Sequence, residues 1–173
     1  MAFRSATFAA MGKQQTVYLG LGSNVGDRAA YLAKAQQVLT AQLGPLLHQS
    51  SIYETEAWGR EELPPFLNQV IGLSTTHSPR KLLQVCLDTE SLLGRQRREH
   101  WGNRRIDIDI LFYGDQIISE PDLEIPHARL HQRNFVLVPL LEIAADWVHP
   151  VLQQDIKSLY QTVEDPLAVI RQT

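Results

Sequence analysis

The stretch Arg105-Ile106-Asp107-Ile108-Asp109-Ile110-Leu111-Phe112-Tyr113 sets a condition that few folds meet, because an apolar run suited to a sheet interior carries two carboxylates. At a side-chain period of two, Ile106, Ile108, Ile110 and Phe112 share one face, and Asp107, Asp109, Leu111 and Tyr113 share the other. The two acids then stand roughly 6 to 7 Å apart along the backbone. Ionised carboxylates on a buried strand face need a cation, a hydrogen-bond network or a raised pKa. A hard divalent metal suits these oxygens best.

Directly upstream, Arg95, Arg97, Arg98, Arg104 and Arg105 supply five of the chain's sixteen lysines and arginines. Mg²⁺ takes one or two protein carboxylates and completes its octahedron with water and phosphate oxygens, while arginine neutralises the charge that remains. Acids preceded by arginines therefore read as a metal and polyphosphate site. Gly94 and Gly102 mark the arginine segment as a loop leading into a rigid strand. Taken alone, Asp-x-Asp is more often a surface strand or a local ion pair than a metal site, and a basic run is usually a solvated or nucleic-acid-facing patch.

These residues also carry a family resemblance. Leu93-Gly94-Arg95-x-Arg97 followed by Trp101-Gly102-x-Arg104-x-Ile106-Asp107-Ile108-Asp109-Ile110-Leu111 closely resembles the signature of the 6-hydroxymethyl-7,8-dihydropterin pyrophosphokinases of folate biosynthesis. The likeness continues through Leu21-Gly22-Ser23-Asn24, Ser51-x-Tyr53-x-Thr55, Phe66-Leu67-Asn68, Pro126-His127 and Arg133-x-Phe135-Val136-Leu137-x-Pro139-Leu140. It runs in order from Thr16 to Trp147.

The resemblance implies transfer of a diphosphoryl group from ATP to the dihydropterin hydroxymethyl oxygen, giving AMP and the pterin diphosphate. It implies two Mg²⁺ ions held by Asp107 and Asp109, with Arg95 and Arg104 as catalytic arginines. Arg97, Arg98, Ile110, His127 and Arg133 would face ATP. Phe66 and Phe135 would stack on the pterin, Asn68 would read its amide edge, and Thr55, Trp58 and Trp101 would complete the pocket. Two metals can clamp the attacking and leaving oxygens of an in-line displacement, so the carried-over roles agree with the chemistry of the residues.

The sequence departs from the family pattern at Asn103, where Pro is common, and at the Glu56-Ala57-Trp58 loop. Around the nucleotide, Leu87, Asp122, Glu124 and Ala128 replace residues of other chemistry. Glu90 matches a family acid near the base or loop, and a local cap or ion pair explains it equally.

At 173 residues the chain suits one domain, expected over 16–173 and preceded by a disordered extension over 1–15. A net charge of −3 argues against general nucleic-acid binding. The single Cys86 forbids a disulfide framework, and there is no run of 18 apolar residues. A cytoplasmic monomer acting on ATP and the pterin, with no membrane or nucleic-acid partner, is the expectation.

Thr16 to Leu21 reads as a strand, and Asp27 to Leu43 as a helix stopped by Gly44-Pro45. Leu47 to Thr55 and Phe66 to Thr76 read as strands joined by a charged loop. Ser78 caps a helix with Pro79 at its first position, ending at Gly94. With the acidic strand, the order βαββαβ predicts a ferredoxin-like α+β sandwich, its substrates on the open sheet face. Gln116 to Ser119 is expected to add a short strand. Asn134 to Ala145 is expected as a helix interrupted by Pro139, in a C-terminal extension.

Two other classes fit parts of this pattern. A metal-dependent phosphohydrolase would use the same acids and arginines, but no water-activating base stands beside them in sequence. An RNA-binding ferredoxin-like module lacks its aromatic stripe, and central acids would repel phosphates without a metal.

Overall fold

The computed structural model describes residues 12–59, 62–94 and 103–173. In chain order the first half comprises β1 (Gln15–Ser23), α1 (Arg28–Leu43), β2 (Leu46–Gln49), β3 (Tyr53–Thr55), β4 (Phe66–Thr75), α2 (Pro79–Leu92) and β5 (Asp107–Tyr113). There follow β6 (Ile118–Glu120), β7 (Leu123–Ile125), a 3₁₀ turn at Leu130–Gln132, α3 (Asn134–Ala144), α4 (Ile156–Thr162) and β8 (Val169–Arg171). This is the ferredoxin-like α+β arrangement read from the sequence, with a longer C-terminal part. Residues 1–11 of the expected N-terminal extension lie outside the described residues, and Gln15 already belongs to β1.

The helix boundaries follow from local chemistry. Asp27 accepts the Ala30 N–H at 3.1 Å and Ser78 the Lys81 N–H at 3.2 Å, satisfying donors that a first helical turn leaves open. Gly44 ends α1 at φ 136°, and a Cβ there would lie 2.1 Å from the Ser74 carbonyl oxygen, so no side chain fits. Asp155 caps α4 through the Ser158 N–H at 2.7 Å.

All pairings in the main sheet are antiparallel, in the order β5-β1-β4-β3-β8, with β2 also on β4. The strand expected from Leu47 to Thr55 is split into β2 and β3. The Ser51 N–H and hydroxyl turn instead to Glu142 of α3, both at 2.8 Å, which breaks the ladder. One sheet face packs on α1 and α2 through a core that includes Leu19, Leu32, Leu39, Ile71, Leu73 and Leu82. On the other, Tyr18, Val70, Leu111 and Phe112 meet Leu137 and Leu140 of α3 and Ile156 and Leu159 of α4. The second face is therefore partly covered, and its uncovered end is where Gly20, Gly22, Asn68, Asp107 and Asp109 lie around a cavity.

Strict alternation along β5 fails at one residue. Pairing jumps from Leu19 with Ile110 to Tyr18 with Phe112, so Leu111 is an extra residue, a β-bulge. After it the facing inverts. Phe112 joins Leu111 on the α3 and α4 side, and Tyr113 joins Ile108 and Ile110 on the α1 and α2 side. The expected placement of Phe112 with the isoleucines and Tyr113 with the aspartates is thereby corrected.

The short strand expected at Gln116 to Ser119 is β6, paired with β7 in a two-stranded sheet. Arg80 of α2 holds this hairpin through Glu120 and through Asp122, whose Oδ1 lies at 2.7 Å. Helix α3 is not interrupted by Pro139, which is buried within it. The helix forgoes the hydrogen bond that the missing N–H would have made to Phe135, and packing on both neighbouring elements sustains it. Its start is fixed by Asp165, which accepts the Asn134 N–H at 2.8 Å. Among the described residues no helix is long and apolar enough to cross a membrane.

Candidate active site

A cavity of about 620 Å³ opens at the uncovered end of the second sheet face. Its floor is built by strand register. Gly22 of β1 pairs with Asn68 of β4 on one side and Asp107 of β5 on the other, and Gly20 pairs with Val70 and Asp109. The glycines leave open the space between the acids and the amide. Thr55 of β3 stands opposite Phe66, and its Oγ1 accepts from Asn68 Nδ2 at 2.8 Å, which fixes the amide plane.

Asp107 and Asp109 both face the cavity, as alternation before the bulge requires. Asp107 is paired with Arg104. Burial, then the neighbouring Asp107, push Asp109 up to about 7, with Glu90 adding to the rise while Arg133 and Arg104 oppose it. Such crowding of carboxylates favours either a retained proton or a bound cation. Among the described residues no cluster of three or more metal-ligating side chains forms. Two carboxylates beside open space nonetheless suit Mg²⁺, which draws its remaining ligands from water and phosphate.

His127 hangs from the bulge, its N–H donating to the Leu111 carbonyl at 3.1 Å. Its Nδ1 accepts the Arg129 N–H at 3.2 Å, which assigns the proton to Nε2. Burial, then Arg133, pull its pKa down to about 4, with Asp107 opposing. The ring is thus a neutral donor at pH 7. Arg133 precedes α3 and is 8% exposed. Its guanidinium lies 5.1 Å from the Trp58 ring centroid and 5.5 Å from that of Phe135. Burial lowers its pKa and Asp109 raises it.

The cavity therefore brings together Thr55, Trp58, Phe66, Asn68, Arg104, Asp107, Asp109, His127, Arg133 and Phe135. Ile110, given an ATP-facing role by the resemblance, packs its side chain with Ile108 in the core beneath the sheet and does not line the cavity. Arg95, Arg97, Arg98 and Trp101 lie outside the described residues. Leu87 lines the cavity, whereas Asp122, Glu124 and Ala128 do not.

Asn24, to which no role was assigned from the sequence, is 3% exposed. Its Oδ1 accepts the Arg104 N–H at 2.6 Å, its N–H donates to the Arg104 carbonyl at 3.0 Å, and its Nδ2 reaches Pro64 O at 3.3 Å. One side chain thus joins β1 to both loops at the mouth of the cavity. The Leu21-Gly22-Ser23-Asn24 motif was visible, but its partners lie 40 and 80 residues away.

Residues 18–145 match the model of the 7,8-dihydro-6-hydroxymethylpterin-pyrophosphokinase family. A 2-amino-4-hydroxy-6-hydroxymethyldihydropteridine pyrophosphokinase from Aquifex aeolicus is 44% identical over 142 residues, covering 82% of this chain and 88% of the relative. One of the same name from Methylorubrum extorquens is 47% identical over 132 residues, covering 76% and 84%. Among solved structures, a Plasmodium falciparum HPPK-DHPS triple mutant superposes with a TM-score of 0.71 at 20% identity. That likeness bears on the fold alone, and it covers 88% of this chain but 45% of the larger one. By sequence match over most of its length, the chain belongs to the 7,8-dihydro-6-hydroxymethylpterin-pyrophosphokinase family.

Proposed function

We propose that the cavity seats both substrates of the family's reaction, with the triphosphate over β5 and the pterin over β4. The chain is an ATP-dependent diphosphokinase of folate biosynthesis. It moves the β,γ-diphosphoryl group of ATP to the hydroxymethyl oxygen of 6-hydroxymethyl-7,8-dihydropterin. The new bond joins that oxygen to the β-phosphorus, the bond to the α,β-bridging oxygen breaks, AMP departs, and the hydroxyl proton is lost. The observation that supports the seating is one cavity with two chemistries. Asp107, Asp109, Arg104 and Arg133 bring charge and His127 a neutral donor to the same cavity to which Thr55, Asn68, Phe66 and Phe135 bring aromatic faces and an amide, with the Arg133 guanidinium 5.5 Å from the Phe135 ring centroid.

Asp107 and Asp109 would hold Mg²⁺, with two ions expected, and bound metal would withdraw charge from the phosphate oxygens. The chain's own groups do the rest. Arg104, fixed by Asp107 and Asn24, offers a guanidinium to phosphate oxygen. Neutral His127 donates from Nε2 without adding a full charge. Asn68, held by Thr55, presents an amide to the pterin edge, and Phe66 and Phe135 offer faces for its ring. Arg95, Arg97, Arg98 and Trp101 keep the phosphate and pterin roles assigned to them by resemblance. Residues 16–173 act as one domain and as a monomer in this proposal, since one chain builds the whole cavity. The lone buried Cys86 supports a reducing, cytoplasmic setting.

The test is product analysis with ATP, Mg²⁺ and the pterin, with a control lacking pterin. Pterin-dependent AMP is the expected outcome. ADP in its place, or nucleotide breakdown without pterin, would overturn the assignment. Asp107→Asn and Asp109→Asn should each lower turnover by on the order of 10²- to 10³-fold, the scale of losing one transition-state stabilising group. Wild-type turnover in either would remove that aspartate from the site.

A further inference from the structure

Strand β5 is the edge of its sheet, bonded to β1 on one side only. Its outer side therefore leaves backbone donors that need partners from elsewhere. Ile108 lies between the two aspartates, and its N–H donates to Glu90 Oε1 at 2.7 Å. Glu90 belongs to the last turn of α2, is 2% exposed and also borders the cavity. The same helix end leads to Gly94, at φ 87°, where an added Cβ would lie 2.7 Å from Arg105 Nη1. The two roots of the arginine segment thus meet beside the point where Glu90 grips β5.

We infer that Glu90 is a positioning residue for the diphosphate transfer: by accepting the Ile108 N–H, it fixes the backbone that aims Asp107 and Asp109 at the cation. The role depends on reach and on an acceptor oxygen. A carboxylate set back by one methylene cannot span the contact, whereas an uncharged amide oxygen at full reach can. Residues that orient ligands are worth about 10- to 100-fold in metal affinity or activity, although they touch neither metal nor substrate. This inference rests on the reading of Asp107 and Asp109 as the metal-holding pair.

Two conservative substitutions separate reach from charge. Glu90→Asp keeps the charge and shortens the arm, and Glu90→Gln keeps the arm and removes the charge. Each is compared with wild type and Asp107→Asn for thermal unfolding, for Mn²⁺ binding by electron paramagnetic resonance with a non-hydrolysable ATP analogue, and for kcat and KM with Mg²⁺. Glu90→Asp should weaken Mn²⁺ binding and lower kcat by about tenfold with pterin KM unchanged, and Glu90→Gln should stay within about threefold of wild type. Several results would overturn the inference: both variants behaving as wild type, both impaired alike, or Glu90→Gln the more impaired, which would assign the effect to charge or direct ligation. If Asp107→Asn binds Mn²⁺ as tightly as wild type, the underlying metal reading fails instead. Preserved unfolding midpoints keep a folding defect from passing for either result.

Discussion

Gly22 stands opposite Asn68 in the β1 and β4 ladder, and a Cβ placed on it would lie 3.4 Å from Asn68 Oδ1 and 3.7 Å from Phe66. The cavity floor therefore exists because this position has no side chain. Gly22→Val would project two methyl groups into the space beside the amide and the Phe66 ring. One methylene more or less in a binding pocket is worth about 1 to 3 kcal/mol, so kcat/KM for the pterin should fall on the order of 10- to 100-fold. The β1 backbone is extended here, so the unfolding midpoint should change little. Steady-state kinetics with varied pterin measure the effect, and unchanged kcat/KM would mean the pterin does not use this floor.

Asp109 and His127 should give the metal-free protein opposing pH dependences. Asp109 titrates at about 7 in the folded chain against 3.8 ordinarily, so the folded state takes up that proton first. This group adds stability as pH falls from about 7 to about 4. His127 titrates at about 4 against 6.5, so the unfolded state takes up its proton first. That group removes stability as pH falls from about 6.5 to about 4. Asp109→Asn should consequently lose unfolding midpoint more steeply than wild type between pH 7 and 4.5, and His127→Gln less steeply. Parallel curves for all three proteins would refute both assignments. A cation also competes with the Asp109 proton, so Mg²⁺ affinity should tighten as pH rises through about 7.

The acid pair at the cavity was legible because it is local in sequence, whereas Thr55, Asn68, His127 and Arg133, far apart in the chain, were named only by the family resemblance. Asp107 and Asp109 are two residues apart, and a period of two suffices to put them on one face. What was not legible depends on register or on distant partners. The bulge at Leu111 is invisible to alternation, since only pairing with Tyr18 and Leu19 reveals the extra residue. A motif position likewise says nothing about which way a side chain points, and that of Ile110 enters the core beneath the sheet. Ser51 gave no sign that it would leave the ladder for Glu142, 91 residues away. The fold itself was readable from caps and stops, because Asp27, Gly44, Ser78 and Pro79 act within a few residues of themselves.

Glu142 is expected to matter for stability more than for turnover. Its carboxylate accepts from the Ser51 N–H, the Ser51 hydroxyl and the Tyr53 hydroxyl, each at 2.8 Å, and so fastens α3 to β3. These bonds hold its pKa down against a partial burial that would raise it. Bonds to a charged group at a partly exposed site should total about 1 to 2 kcal/mol, with solvent screening already discounted. Denaturant unfolding of Glu142→Ala should show that loss with kcat nearly unchanged. A large fall in kcat at unchanged stability would instead tie this contact to the cavity.

Asn24 links the two loops at the cavity mouth and ties both to the end of β1. Its bond to the Arg104 N–H, at 2.6 Å, is the shorter contact, and its amide group reaches Pro64 O and Asn103 Oδ1 at 3.3 Å each. In Asn24→Ala all three are lost, and Arg104 is no longer held at the depth from which it meets Asp107. About 1 kcal/mol for each net hydrogen bond, applied to a group that must be placed for reaction, predicts a fall in kcat of about tenfold or more. Asn24→Asp retains an acceptor for the Arg104 N–H and loses only the two longer donations. It should fall between Asn24→Ala and wild type in kcat, and pterin KM should rise in both variants because the Pro64 loop borders Phe66. If Asn24→Asp is no better than Asn24→Ala, the Arg104 backbone contact is not what positions the arginine, and the latch acts through the Pro64 loop alone.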